Sequence, residues 1–314
     1  AGMERRQSDL MAKKRFKSQR CPNCGTEFSL KPEHTNFCPS CGQENHDLNI
    51  PLRHLLEEVS ETVLHFDTKS IRTLHALVFK PGALTSEFIH GRRARYVTPI
   101  RLYIFISFLF FLLLSLPFGR TDERTRAETN QLITGEFNIT LFGLRHRELR
   151  GLQGPQIDSL MQSRNISPTP AKRYFAHQMA RIANGGEREF VHMMVKNISY
   201  MMFVLMPFLG WLVLLFHRKQ HHRYIGTLVF SLHFHSFAFL ALGLLLLLGK
   251  IPTLWFIFLA APIVLAIYLY LGLRSVYGQS RISTLFKTII IGGLHVVSVA
   301  LLFLVTVFAS VVAF

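Results

Sequence analysis

Arg92–Leu116 reads RRARYVTPIRLYIFISFLFFLLLSL. Arg92, Arg93, Arg95 and Arg101 lead into a run with no charge from Leu102 to Leu116. Such a run needs lipid or a large apolar core, because so much contiguous hydrocarbon is unstable in water. Continued through Pro117 and Phe118 it reaches 17 residues, the short end of what spans a bilayer. The basic residues sit on one side of it, and cytoplasmic flanks of membrane helices are rich in Lys and Arg. The stretch therefore predicts a first span over 98–118. The chain before it is expected in the cytosol, and the chain after it begins on the far side.

The whole chain agrees with that class. Of 314 residues 49% are apolar, and they are bunched rather than dispersed, which is a membrane pattern. The formal charge is +16, from 35 Lys and Arg against 19 Asp and Glu. In a soluble protein this excess points to nucleic acid. Here basic residues at membrane ends, facing anionic lipid, account for it more simply. The polar N-terminal region predicts no cleaved signal peptide. Residues 1–20 read as a basic flexible arm, with Lys13, Lys14, Arg15, Lys17 and Arg20 open to lipid headgroups or an acidic partner.

Residues 21–42 read CPNCGTEFSLKPEHTNFCPSCG and contain all four cysteines of the chain. Cys21 and Cys24 are separated by two residues, as are Cys38 and Cys41, with thirteen residues between the pairs. Each CPxCG forms a tight knuckle whose amide N–H groups can face the sulfurs. Four thiolates make a closed tetrahedral zinc site with no position for substrate. A module this small builds no core, so the metal supplies its folding energy. The spacing reads as metal rather than disulfides, and fits a reducing cytosol. The zinc is expected to be structural, and the ribbon's work is docking, or recognition through its surface.

Residues 50–91 carry amphipathic juxtamembrane helices. Leu52, Leu55, Leu56, Val59, Val63 and Phe66 recur at helical spacing. Asp67 or Thr68 can cap a second helix bearing Ile71, Leu74, Leu77 and Val78, which Lys80-Pro81-Gly82 breaks. A third, from Pro81, ends at Gly91. These helices lie on the membrane surface or pack beneath the bundle; a small soluble hairpin is the alternative. Four further apolar runs, 198–216, 225–248, 252–273 and 288–314, are long enough to cross. The loops 217–224 and 274–287 are basic, whereas Gly249-Lys250-Ile251 holds one charge. That asymmetry predicts five spans, N-terminus inside and C-terminus outside. Residues 119–197 form a loop longer than the ~60 residues over which charge controls translocation. We expect a small extracytoplasmic α+β domain there, with a strand over 131–142 and helices over 171–183 and 187–196. The N-x-S/T triplets at Asn138, Asn165 and Asn197 read as chance matches.

Ionisable side chains inside the spans are few: His233 and His235 in the third, His295 in the fifth. Each is costly to bury and so a candidate for function. Positions 233 and 235 point about 200° apart on one helix, and His295 shares their depth at roughly 10–12 Å from the cytosolic end. One of the pair is therefore expected to meet His295. Interhelical hydrogen bonds, a proton- or ion-handling site, and a metal or haem held between two helices all remain open. His217 and His221 at i,i+4 can ligate a metal, although a hydrated basic rim is simpler. Arg92, Arg93, Arg95 and Arg101 can clamp a phosphate or lipid headgroup, or act as plain cytosolic anchors. Gly292-Gly293 permits close helix approach. There is no phosphate-cradling Gly loop, GxSxG, HExxH or dinucleotide fingerprint.

Taken together, CPNCG…FCPSCGQ, PGALTSEFIHGRRARYVTPIRLYIFIS, LVFSLHFHSFAFL and YLYLGLRSVYGQS resemble a bacterial family of uncharacterised zinc-ribbon multi-pass membrane proteins, a domain of unknown function. The resemblance spans most of the chain outside 119–197. It implies bacterial origin and residence in the inner membrane, and it supplies no activity or catalytic residue. The expected function is a non-enzymatic assembly, channel-like or transport component whose ribbon docks a cytosolic partner or caps the bundle. One alternative is a membrane enzyme or redox carrier that uses the span histidines with haem, metal or lipid. Another is a membrane-tethered nucleic-acid binder. Oligomerisation is left open.

Overall fold

The computed structural model describes residues 18–28, 36–45, 68–115, 140–141, 144–218, 224–248 and 259–314. The expected helix over 52–66, most of the strand over 131–142, His221 and the loop at 249–251 lie outside these residues, as do most of the basic arm and the middle of the ribbon. The chain divides into two compact units. The first joins the N-terminal part through Phe110 with Met206–His295; the second joins Phe111–Leu205 with Val296–Phe314.

The described residues are mainly helical. Helix α1 spans Thr68–Phe79, α2 Ala83–Ile89 and α3 Pro99–Ser115. After a two-residue hairpin ladder, β1 (Thr140–Leu141) with β2 (Leu144–Arg145), come α4 (Gly154–Ser163) and α5 (Pro170–Arg181). Then come α6 (Glu187–Phe216), α7 (Tyr224–Leu248), α8 (Ala261–Tyr277) and α9 (Arg281–Ala313). Among the described residues three helices, α6, α7 and α9, are long and apolar enough to cross a membrane; α3 and α8 are shorter apolar helices. Helix α9 begins ahead of the expected 288, because Ser280 Oγ accepts from the Ser283 N–H and supplies an N-cap. Helix α8 runs on past 273 to Tyr277 and stops at Gly278, which takes a left-handed conformation.

In the first unit α7 is the central helix. Half of its apolar window is buried, against 11% for α9, whose Ile282, Phe286, Ile289 and Val296 are exposed. A helix apolar all round with so little of it covered by protein suits a lipid environment. Against α7 and α8 pack α1 and α2. Their boundaries follow the sequence signals: α1 ends before Lys80-Pro81-Gly82, and α2 ends at His90-Gly91. The buried face of α1 is rotated from the expected stripe, however. Thr73, Ala76 and Leu77 are covered, while Ile71 is 67% exposed. Two polar tethers explain the rotation: Thr73 Oγ1 accepts from the Val97 N–H at 3.0 Å, and the Leu77 carbonyl accepts from the Tyr268 hydroxyl at 2.8 Å. Tyr268 is in turn stacked on Phe237 of α7 at 3.6 Å.

Helices α6 and α7 approach closely at Gly210, where a Cβ would stand 3.1 Å from Leu228 Cα. At the C-terminus of α6, Lys287 Nζ donates to the Phe216 carbonyl at 2.8 Å, placing a cation on the negative end of the helix dipole.

In the second unit a small core of Leu144, Leu149, Ile157, Met161, Ala176 and Met179 holds the hairpin to α4 and α5. Reciprocal bonds between Gln153 and Gln156 cap α4, and Thr169 caps α5. A second cluster joins Phe175, Ile182, Phe190 and Val311. Asn197 donates to Ser310 Oγ at 2.8 Å, so this triplet asparagine is a packing residue between α6 and α9.

Candidate metal centre and buried histidines

The two knuckles repeat one another. Cys21 N–H donates to the Thr26 carbonyl and Gly25 N–H to the Cys21 carbonyl, at 2.8 and 2.9 Å. In the second knuckle Cys38 N–H donates to the Gln43 carbonyl and Gly42 N–H to the Cys38 carbonyl, both at 2.8 Å. Residues Arg20 and Glu27 bridge the base of the first, Phe37 and Glu44 that of the second. This repetition brings the four sulfurs together. Cys21 and Cys41 are 3.7 Å apart, Cys24 and Cys38 3.5 Å, and all four lie within 4.8 Å of one another. Four thiolates around one tetrahedral ion at Zn–S ≈ 2.3 Å stand roughly 3.8 Å apart, so the set can hold a metal ion. Among the described residues it is the one cluster of three or more His, Cys, Asp or Glu that can.

The thiols are unequal before a cation arrives. Burial pushes the Cys21 thiol up to about 12. The Thr26 hydroxyl, at 3.1 Å, and the Thr26 backbone hold the exposed Cys24 down at about 6. A bound cation favours the thiolate form at all four.

The ribbon is docked on its own chain through Gln43, which is 9% exposed. Its Nε2 donates to the Gly91 carbonyl at 2.7 Å, and its Oε1 accepts from Arg93 N–H and Ala94 N–H at 3.1 and 3.2 Å. Pro22 lies against Gly91, where a Cβ would come within 3.3 Å of the proline ring. Asn45 clamps the base of the module by bonding both backbone groups of Ser18. Gln43 is a contact residue that sequence pattern alone does not single out. Its one signal is position, immediately after the second knuckle and equivalent to Thr26.

The arginine segment is already engaged there. Arg92 makes a two-point ion pair with Glu87 at 2.9 and 2.6 Å, and the Arg93 guanidinium lies 4.7 Å from the Phe88 ring centre. Arg95 is exposed and Arg101 half-buried.

The three span histidines separate into two contacts. His233 Nδ1 is 2.9 Å from Thr85 Oγ1 of α2, a buried bond between segments far apart in sequence. His235 faces the other way, as i,i+2 spacing requires. Its ring centre lies 5.4 Å from that of His295, nearly perpendicular. His235 Nδ1 donates to the Ser231 carbonyl at 2.8 Å, and this fixes the lone pair on Nε2. That Nε2 is buried and has no hydrogen-bond partner among the described residues. His217, at the end of α6, bonds the Val213 carbonyl through Nδ1 and stacks on Tyr277 at 4.0 Å, which gives it a packing role.

A consequence can be measured. His233→Leu leaves the Thr85 hydroxyl buried without its partner, an expected loss of about 1–3 kcal/mol. His235→Leu removes an orphaned polar atom together with a bond inside its own helix, an expected change within about 1 kcal/mol. Thermal unfolding of the two variants in detergent compares them directly; equal losses would contradict the assignment of His233 to the α2 contact.

A family model described as "Protein of unknown function (DUF3667)" matches residues 67–111. The match takes in α1, α2, the arginine turn and most of α3. It stops short of the ribbon on one side and of α4–α9 on the other. No curated protein and no solved structure matches the chain.

Proposed function

We propose that this chain is a non-enzymatic integral membrane protein, an assembly, channel-like or transport component, whose ribbon holds one zinc and caps the helices from the cytosolic side. The observation that carries the reading is the threefold bonding of Gln43 to residues 91–94, immediately before the first apolar helix. A ribbon made only to seat a foreign partner has no need to commit its buried polar side chain to its own chain. Four thiolates saturate a tetrahedral ion, which argues against chemistry at the metal.

The accompanying topology has five spans, with α3 and α8 as the short ones. The ribbon and the basic loops 217–224 and 274–287 face the cytosol, and residues 119–197 and the C-terminus face outside. Residence in a bacterial inner membrane rests on the family resemblance, with anionic lipid as the natural partner of the exposed Arg95.

The test is hydrogen exchange on the isolated protein in detergent. Gln43→Ala should speed exchange at the Arg93 and Ala94 amides by about tenfold or more, since each loses its acceptor. Unchanged exchange would mean that the ribbon does not cap this chain. Labelling of the ribbon thiols by an impermeant reagent outside intact cells would overturn the orientation.

A further inference from the structure

We infer that metal occupancy of the ribbon sets the position of α2, and with it the buried Thr85–His233 contact. The inference rests on the cap reading above and adds regulation to it. Gln43 lies one residue beyond Gly42 in the second knuckle, and its carbonyl is the acceptor for the Cys38 N–H. The backbone that orients Gln43 is thus the backbone that wraps the metal. Its side chain holds the 91–94 turn from one side. From the other side the turn is tied to α2 by the Arg92–Glu87 pair and by Arg93 over Phe88. One turn of helix further back, Thr85 reaches His233. Each link is a direct contact, and all of them lie within the first compact unit. A ribbon without metal has no core to keep its knuckles folded. Losing the metal therefore releases Gln43, frees the turn, and removes the outer support of a helix only seven residues long, too short to persist alone.

The turn carries its own reporter, because trypsin cuts after Arg92, Arg93 and Arg95, and cleavage follows the population of the locally opened state. The experiment uses the full chain in detergent, with fragments ending at those residues read by mass spectrometry. Zinc-loaded wild type should be cut slowly. Chelated wild type should be cut about tenfold faster or more, and re-addition of zinc alone should restore protection. Zinc-loaded Gln43→Ala should be cut at close to the chelated rate. Hydrogen exchange over 83–90 should rise in the same samples.

Fast cleavage of Gln43→Ala with no response of wild type to chelation would overturn the metal coupling and leave the cap standing. No response to either change would overturn both. A response to chelation that Gln43→Ala does not share would remove Gln43 as the link. An opened turn with unchanged exchange over 83–90 would end the claim that the effect reaches Thr85 and His233.

Discussion

Cys38→Ser is expected to empty the ribbon and unfold it and to loosen the short α2, while the longer helices keep their structure. Cys38 is 2% exposed, and its sulfur lies 3.5 Å from that of Cys24. Serine offers a hydroxyl that does not ionise near neutral pH, so one of four anionic ligands is lost. Structural zinc contributes about 10–16 kcal/mol to the folding of comparable peptides. Few other interactions in the described ribbon approach that scale. The Asn45 clamp and the Thr26–Ser40 bond at 3.0 Å are worth about 1 kcal/mol each. Elemental analysis should fall from about one zinc per chain to near zero. Amide exchange over 18–28 and 36–45 should become fast, and helical circular dichroism should change little. A variant that keeps stoichiometric zinc would sink the four-thiolate assignment. One that loses its longer helices as well would show that the ribbon and the apolar helices are not separately stable.

The parts of this protein that were legible in its residues are those fixed by local chemistry. CxxC spacing determined which four side chains meet. Glycine and proline marked the ends of α1 and α2 to within a residue or two, and i,i+2 spacing required His233 and His235 to face apart. Long-range choices carried no such signal. Nothing in SLHFHSF names Thr85 as the partner of His233, because that contact depends on a short helix folding back against α7. Nothing in the stripe of α1 shows that Thr73 and Leu77 are buried and Ile71 exposed, since a bond to Val97 and another to Tyr268 decide the rotation. The arginines that looked like a clamp are partly engaged by Glu87 and Phe88, which precede them by five residues each. Sequence pattern gives the sign of an environment, and pairwise geometry decides which polar group meets which partner.

Gly82→Ala is the second large expected effect, because this residue is constrained twice. Its φ of +83° lies in the left-handed region, where an L side chain costs roughly 1–2 kcal/mol. A Cβ built there would also stand 2.8 Å from the Gly272 carbonyl oxygen and 2.9 Å from Ser275 Cβ of α8. The backbone of one helix end is therefore the obstacle, and backbone does not swing aside as a flexible side chain can. Gly272 is confined on its own account, since a Cβ there would meet the Phe230 ring at 3.1 Å. Strain and clash together should cost about 2–4 kcal/mol and release the α1–α2 hairpin from α7 and α8. Asparagine separates the two causes, because it tolerates the left-handed region better than alanine. At Gly278 φ is +61° and a Cβ would meet no atom within 4 Å, so Asn there should be close to wild type in thermal unfolding. At Gly82, Asn should be no better than Ala, because the contact with α8 is untouched by backbone preference. Recovery of stability in Gly82→Asn would mean that strain alone was responsible and that the hairpin does not press against α8. Failure of both Gly82 variants, with Gly278→Asn unaffected, is the result that close packing of the hairpin on α8 requires.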